Sequence, residues 1–209
     1  MLILLYILFG MSLVYIAATE RFKIYIQVYI LQGILLFGMA IIQLRDFNFL
    51  NLSLILAETI LFKSIVVPYM LRKILQRTRI YNVHKKSVPG NYTVMLMSVF
   101  LVISLLMAFV LSVPSIERVY LVIAFFSLFT GLLLISARKL LFAHLVGFLI
   151  IENAVFLFSI AIGKEFPLLV NTGILLDIFI AVLIMSTFLT RIGHKMHSFE
   201  AETLTKLKD

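Results

Sequence analysis

The sequence predicts an all-α integral membrane protein, folded as one bundle of about seven transmembrane helices. Hydrophobic residues make up 63% of the 209 residues, and charged residues make up only 13%. An average soluble domain is roughly half apolar and a quarter charged. The mean hydropathy of +1.14 therefore excludes a water-soluble fold.

Seven apolar stretches are long enough to cross a bilayer, which takes about 20 residues at about 1.5 Å of rise each. They cover approximately 2–18, 24–43, 50–71, 92–113, 119–137, 142–162 and 168–189. Pro89 and Gly90 precede the fourth stretch, and Gly163 and Pro167 lie between the sixth and the seventh. These residues favour turns rather than domain linkers. The whole chain, 1–209, is therefore expected to form a single transmembrane domain.

The basic residues predict how the bundle lies in the membrane. With the loop 72–91 in the cytoplasm, the turns 19–23 and 138–141 and the tail 191–209 lie there too. Of the 18 Lys and Arg residues, 14 are then inside and only Arg45, Arg118 and Lys164 are outside, while Lys63 lies within an apolar stretch. The positive-inside rule thus predicts an outside N-terminus and a cytoplasmic C-terminus. The loop 72–91 alternatively binds anionic lipid head groups or an acidic partner.

Several function classes are excluded by what the sequence lacks. It has no cysteine, so disulfides, iron–sulfur clusters and thiolate metal sites cannot form. His84, His144, His194 and His197 fall in loops or at helix ends, where no pair can sandwich a haem. Motifs of soluble enzymes are also missing. We therefore expect a non-catalytic chain with no cofactor of its own. Its net charge of +8 comes mostly from basic residues in loops, so we do not expect it to bind nucleic acid.

Four ionisable residues interrupt the apolar stretches near their centres: Glu58, Lys63, Glu152 and Asp177. A charge at mid-bilayer costs roughly 2.5–3.5 kcal/mol, so such residues face the bundle interior and commonly mark proton paths. Three carboxylates beside one lysine cannot all be ionised without uncompensated charge. We therefore predict a proton relay through these four residues. The alternative is a set of structural ion pairs that hold the bundle together.

The third stretch combines two of these charges with a proline. Glu58 and Lys63 are five residues apart, or about 140° around an α-helix, so they are not expected to pair. Lys63 should instead meet a carboxylate on another helix. Pro68 cannot donate a hydrogen bond to the carbonyl of Ser64, which predicts a helix kink just after the lysine.

Two further polar residues belong to the sixth stretch. His144 is a candidate proton entry toward Glu152, two turns away, or alternatively an ordinary interfacial histidine. Asn153 is expected to form an interhelical hydrogen bond, as are Asn171, Thr172 and Ser186.

A family resemblance is carried by two segments. The run LVGFLIIENAVFLFSIAIGKEFPLLVNTGILLDIFIAVLIMSTFLTRI from Leu145, with the terminal LTKLKD, resembles the hydrogenase-4 component E family. The segment LFKSIVVPYML at 61–71 is similar to that family's lysine-to-proline helix. The helices within 138–190 also resemble the small K subunit of complex I. The segment 61–71 belongs to the first three helices, 1–71. Between the two resembling segments, where the helices in 92–137 lie, only the hydropathy is compatible with the family.

The resemblance implies a membrane subunit of a complex like formate hydrogenlyase, in the inner (plasma) membrane of a prokaryotic cell. Its implied partners are antiporter-like membrane subunits and a nickel–iron hydrogenase-like or other redox module, surrounded by membrane lipids. Glu152 and Asp177 match acidic positions of the K subunit. The sequence departs from the family pattern at Asp177, which is shorter than glutamate, at Ala154 in place of glycine, and at Asn171 in place of an acid.

Two other function classes remain open from the sequence. A stand-alone secondary transporter or cation/proton antiporter would fit seven spans with a faint internal repeat. A purely structural membrane anchor would need the buried charges only for packing.

Overall fold

The computed structural model describes residues 2–19, 21–43, 53, 55–78, 90–111, 117–138 and 141–162. These residues are almost entirely helical and include no strand. The helices are α1 (Leu2–Ala18), α2 (Phe22–Gln43), a π-helix (Ala57–Val66) that continues into α3 (Val67–Thr78), α4 (Gly90–Val110), α5 (Arg118–Ala137) and α6 (Leu141–Ile162).

Four of the described helices, α2, α4, α5 and α6, are long and apolar enough to cross a membrane. Helix α1 is also apolar but has only 17 residues. The predicted all-helical class is confirmed for the described residues, and so are helices with the length and composition of membrane spans. The seventh stretch, 168–189, and the tail, 191–209, lie outside the described residues, so the count of seven stays a prediction.

Helices α5 and α6 form a tight antiparallel pair because glycines face each other where they cross. A Cβ atom built on Gly131 would lie 2.6 Å from the carbonyl oxygen of Gly147, and one built on Gly147 would lie 2.8 Å from that of Gly131. Only glycine allows the two backbones to approach so closely, a packing mode typical of membrane helices. The hydroxyl of Ser127 adds a hydrogen bond to the carbonyl of Ile150, at 3.1 Å.

Three hydrogen bonds show which connections lie at the same end of the bundle. The Arg138 guanidinium, after α5, donates to the carbonyl of Ala17 (2.8 Å) in the last turn of α1 and to that of Thr19 (3.2 Å) just after α1. At the other end, the hydroxyl of Tyr120 donates to the carbonyl of Met39 in α2 (3.3 Å). The turns after α1 and after α5, both predicted to be cytoplasmic, therefore lie together. The side of the membrane they occupy stays a prediction.

The basic segment 72–91 begins as helix rather than as loop. Helix α3 continues through Arg72 and Lys73 to Thr78. Its buried residues Ile74 and Leu75 face the bundle while Arg72 and Lys73 are exposed. The prediction of a loop from residue 72 onward is wrong for residues 72–78, because an amphipathic helix can extend past an apolar span with its charges on the outer side.

Candidate functional site

The residues around Lys63 form a π-helix, in which hydrogen bonds join residues five apart. The N–H of Val67 donates to the carbonyl of Phe62, and the hydroxyl of Ser64 donates to the carbonyl of Thr59 at 2.9 Å. The π-helix changes to the α-helix α3 at Val67, one residue before Pro68. The sequence predicts a kink near this proline, and the structure has a change of helix type there.

The π-helix corrects the expected spacing of Glu58 and Lys63. On a helix with hydrogen bonds between residues five apart, positions 58 and 63 follow each other along one face. The expectation that these positions lie about 140° apart is wrong for this backbone, because it assumed an α-helix. The side chain of Glu58 lies outside the part of the chain that the structure describes.

Lys63 projects toward helix α6 at the level of Glu152. Its side chain is fully buried, and its Nζ atom lies 4.7 Å from the centroid of the Phe156 ring. Phe156 and Glu152 are four residues apart on α6 and therefore share one face. Glu152 is itself only 7% exposed. The lysine therefore packs against α6 one turn from this buried carboxyl, on a different helix.

Helix α2 approaches this junction closely because of a glycine. A Cβ atom on Gly33 would overlap the hydroxyl of Ser64 and would lie 3.1 Å from the carbonyl of Thr59 and 3.3 Å from Cβ of Lys63. The missing side chain therefore lets α2 pack directly on the π-helix beside the lysine.

A buried chain of hydrogen bonds joins α6, α2 and α1 at the same level. The side-chain nitrogen of Asn153 donates to Oε1 of Gln32 at 3.1 Å. Nε2 of Gln32 donates to the hydroxyl of Ser12 at 3.0 Å, and that hydroxyl donates to the carbonyl of Phe9 at 2.6 Å. Asn153 thus makes the kind of interhelical bond that the sequence predicts for it.

We call Ser12, Gln32, Lys63, Glu152 and Asn153 together the polar junction. Two of its members, Ser12 and Gln32, were not expected from the sequence. The only available signal was Gln32, an amide in the middle of an otherwise apolar stretch, which in a membrane commonly bonds to another helix.

The remaining predicted site residues lie elsewhere or are not described. The ring nitrogen Nε2 of His144 is 2.7 Å from the carbonyl of Arg138, at the start of α6. Eight residues separate His144 from Glu152, which is about 12 Å along the helix, so any proton passing between them needs intermediate carriers. Asp177 lies outside the described residues.

Within the described segments, no three His, Asp or Glu side chains come together as metal ligands. The described residues thus define an almost entirely helical protein with four helices long and apolar enough to cross a membrane, and with a buried polar junction between its helices. No family model, curated protein or solved structure matches the chain.

Proposed function

We propose that this chain is a non-catalytic membrane subunit of an energy-converting complex like hydrogenase-4 or formate hydrogenlyase, related to complex I. It contributes buried charged residues to proton translocation and helps to assemble the membrane arm. Its partners are antiporter-like subunits and a nickel–iron hydrogenase-like or other redox module. The resemblance over Leu145 to the C-terminus and over 61–71 supports the choice of complex.

The proton role is supported chiefly by one observation, the convergence of Lys63 and Glu152 on one face of α6. Both side chains are buried, and the Lys63 ammonium lies over the Phe156 ring, one turn from Glu152. An amine and a carboxyl in an apolar bundle can be either charged together or neutral together, and the two states differ by one proton transfer. Such a pair passes a proton sideways between helices without leaving net charge in the membrane.

The other two members of the proposed relay extend this pair on both sides. Position 58 precedes Lys63 along the same face of the π-helix, and Asp177 is at mid-stretch in the predicted seventh span. In this proposal seven helices cross the inner membrane of a prokaryotic cell, with the C-terminus in the cytoplasm. The relay runs parallel to the membrane plane because its members lie at similar depths in their helices.

Neutralising the acids tests the relay. In the assembled complex we expect Glu152→Gln and Asp177→Asn to reduce redox-driven proton uptake into inverted vesicles at least tenfold, because neither amide titrates. Glu117→Gln is the matched control, since Glu117 is exposed at the start of α5 and should leave proton uptake unchanged. Wild-type proton uptake in an assembled double variant would refute the relay and favour the structural anchor.

Co-purification tests the choice of complex. The tagged chain is solubilised in mild detergent, and everything that elutes with it is identified by mass spectrometry. We expect antiporter-like and redox-module subunits. A clean monomer or homodimer would contradict the proposed complex and favour the stand-alone transporter.

A further inference from the structure

The hydrogen-bond chain of the polar junction has a fixed direction. Ser12 has a single hydroxyl proton, which it donates to the carbonyl of Phe9. Its oxygen must therefore accept from the amide nitrogen of Gln32, and this leaves Oε1 of Gln32 facing Asn153. Asn153 can then bond to Gln32 only through its own nitrogen. Every donor in the chain points toward α1.

This direction leaves one acceptor at the α6 end. Oδ1 of Asn153 is fully buried and has no hydrogen-bond partner within the described residues. Rotating the amide would place its oxygen against Oε1 of Gln32, where two acceptors would repel each other. Buried carbonyl oxygens nearly always have a donor. The direction of the hydrogen-bond chain therefore means that Oδ1 of Asn153, the residue after Glu152, needs a further hydrogen-bond donor.

We propose that a water molecule binds at Oδ1 of Asn153 and donates a hydrogen bond to it. Buried waters occupy positions where they satisfy otherwise unpaired polar groups, and each needs between two and four polar partners. Buried polar side chains on the same level of the bundle are the candidate partners: Glu152 is next to Asn153 in sequence, and Lys63 lies over the Phe156 ring in the next turn of α6.

Water fits this position better than a metal cation does. Calcium and magnesium ions take about six or more oxygen ligands, whereas the described residues offer one amide oxygen and one carboxyl group here. The Lys63 ammonium over Phe156 would also repel a second cation, and this repulsion is strong inside a low-dielectric bundle. A neutral donor avoids both problems.

The water also has a consequence for proton transfer, and this part of the inference rests on the proposed function. A water can accept a proton and donate another, whereas an amide such as Gln32 does not carry an excess proton. Asn153 is therefore a positioning residue, which holds the water that exchanges protons with Glu152. Gln32 and Ser12 act one step further away, because they fix the orientation of the Asn153 amide.

Solid-state NMR on the full chain in lipid bilayers tests the water site. The chain is labelled at Asn and Met, and magnetisation is transferred from water protons to the carbons. We expect the Asn153 side-chain signal, assigned by its loss in Asn153→Leu, to grow several-fold faster than the methyl signal of Met39, which is fully buried in apolar surroundings. If the Asn153 signal grows as slowly as the Met39 methyl signal, the proposal is overturned. A shift of the Asn153 signal when Na⁺ replaces K⁺ would show a cation instead and would also overturn it.

A second measurement separates this inference from the proposed function. In the assembled complex, Asn153→Leu should shift the pH profile of proton uptake, whereas Asn153→Ser, which keeps an oxygen acceptor, should restore much of the wild-type profile. If the Asn153 signal receives no fast magnetisation from water while Glu152→Gln loses proton uptake, the water site alone is refuted. A hydrated Asn153 combined with normal proton uptake in Glu152→Gln would refute the relay alone.

Discussion

Gln32 is the residue that connects the most elements of the polar junction. Its amide accepts from Asn153 on α6 and donates to Ser12 on α1, so one side chain on α2 binds two other helices. An interhelical hydrogen bond in a membrane protein contributes on average about 0.6 kcal/mol and at most about 1.7 kcal/mol. The two bonds of Gln32 should together contribute about 1–3 kcal/mol to stability.

We predict that Gln32→Leu lowers the free energy of unfolding by about 1–3 kcal/mol, because it leaves polar groups of Asn153 and Ser12 buried without a partner. The measurement is denaturant unfolding in mixed micelles. Gln27→Leu is the matched control, since Gln27 is on the same helix but exposed, and it should change the stability by less than about 0.5 kcal/mol. Equal effects of the two substitutions would contradict a structural role for the hydrogen-bond chain.

At the scale of elements, the contact between α2 and the π-helix depends on Gly33. We predict that Gly33→Ala costs about 1–3 kcal/mol of stability through overpacking and moves Lys63 away from Phe156, because a methyl group would push on Ser64 and Thr59. Because Lys63 is displaced, proton uptake by the assembled complex should also fall in Gly33→Ala.

Gly38→Ala is the matched control for Gly33→Ala. Both glycines lie in α2, so both substitutions gain the same intrinsic helix propensity. A Cβ atom on Gly38 would lie 3.5 Å from a methyl carbon of Leu5, an ordinary contact distance. Unfolding in mixed micelles should show Gly38→Ala to be neutral or stabilising. A loss of stability as large as that of Gly33→Ala would count against a close approach specific to position 33.

The described helices were largely predictable from the sequence, and the polar junction only in part. Helix α1 has the predicted bounds, 2–18, and α6 begins one residue earlier than predicted. Hydropathy works here because a backbone in lipid must satisfy its own hydrogen bonds. It measures the length of an apolar stretch but not its hydrogen-bond spacing, so the π-helix was not predicted. The partners of Gln32 depend on how three helices are rotated, which single-sequence patterns do not give.

At the scale of the whole molecule, the two described turns that are predicted to be cytoplasmic, after α1 and after α5, lie at the same end of the bundle. The Arg138 guanidinium joins the end of α5 to the end of α1. Because the chain has no native cysteine, single cysteines can be introduced directly to determine the orientation.

We predict that a cysteine at Arg21 is labelled by a membrane-impermeant maleimide only from the cytoplasmic side, and a cysteine at Arg118 only from the outside. Both positions are exposed, and the positive-inside rule places them on opposite sides. Intact cells and inverted vesicles provide the two accessible faces. Labelling of both cysteines from the same side would contradict the predicted topology.

The hydrogen-bond chain from Asn153 to Phe9 also sets the rotational register of α2. Dispersion contacts between apolar side chains are only weakly directional, whereas a hydrogen bond requires a defined distance and angle. A turn by one residue position, about 100°, would break both bonds of Gln32 at once and would swing Gly33 away from the π-helix. The Gln32 amide and the close approach at Gly33 thus together fix the angle at which α2 faces its neighbours.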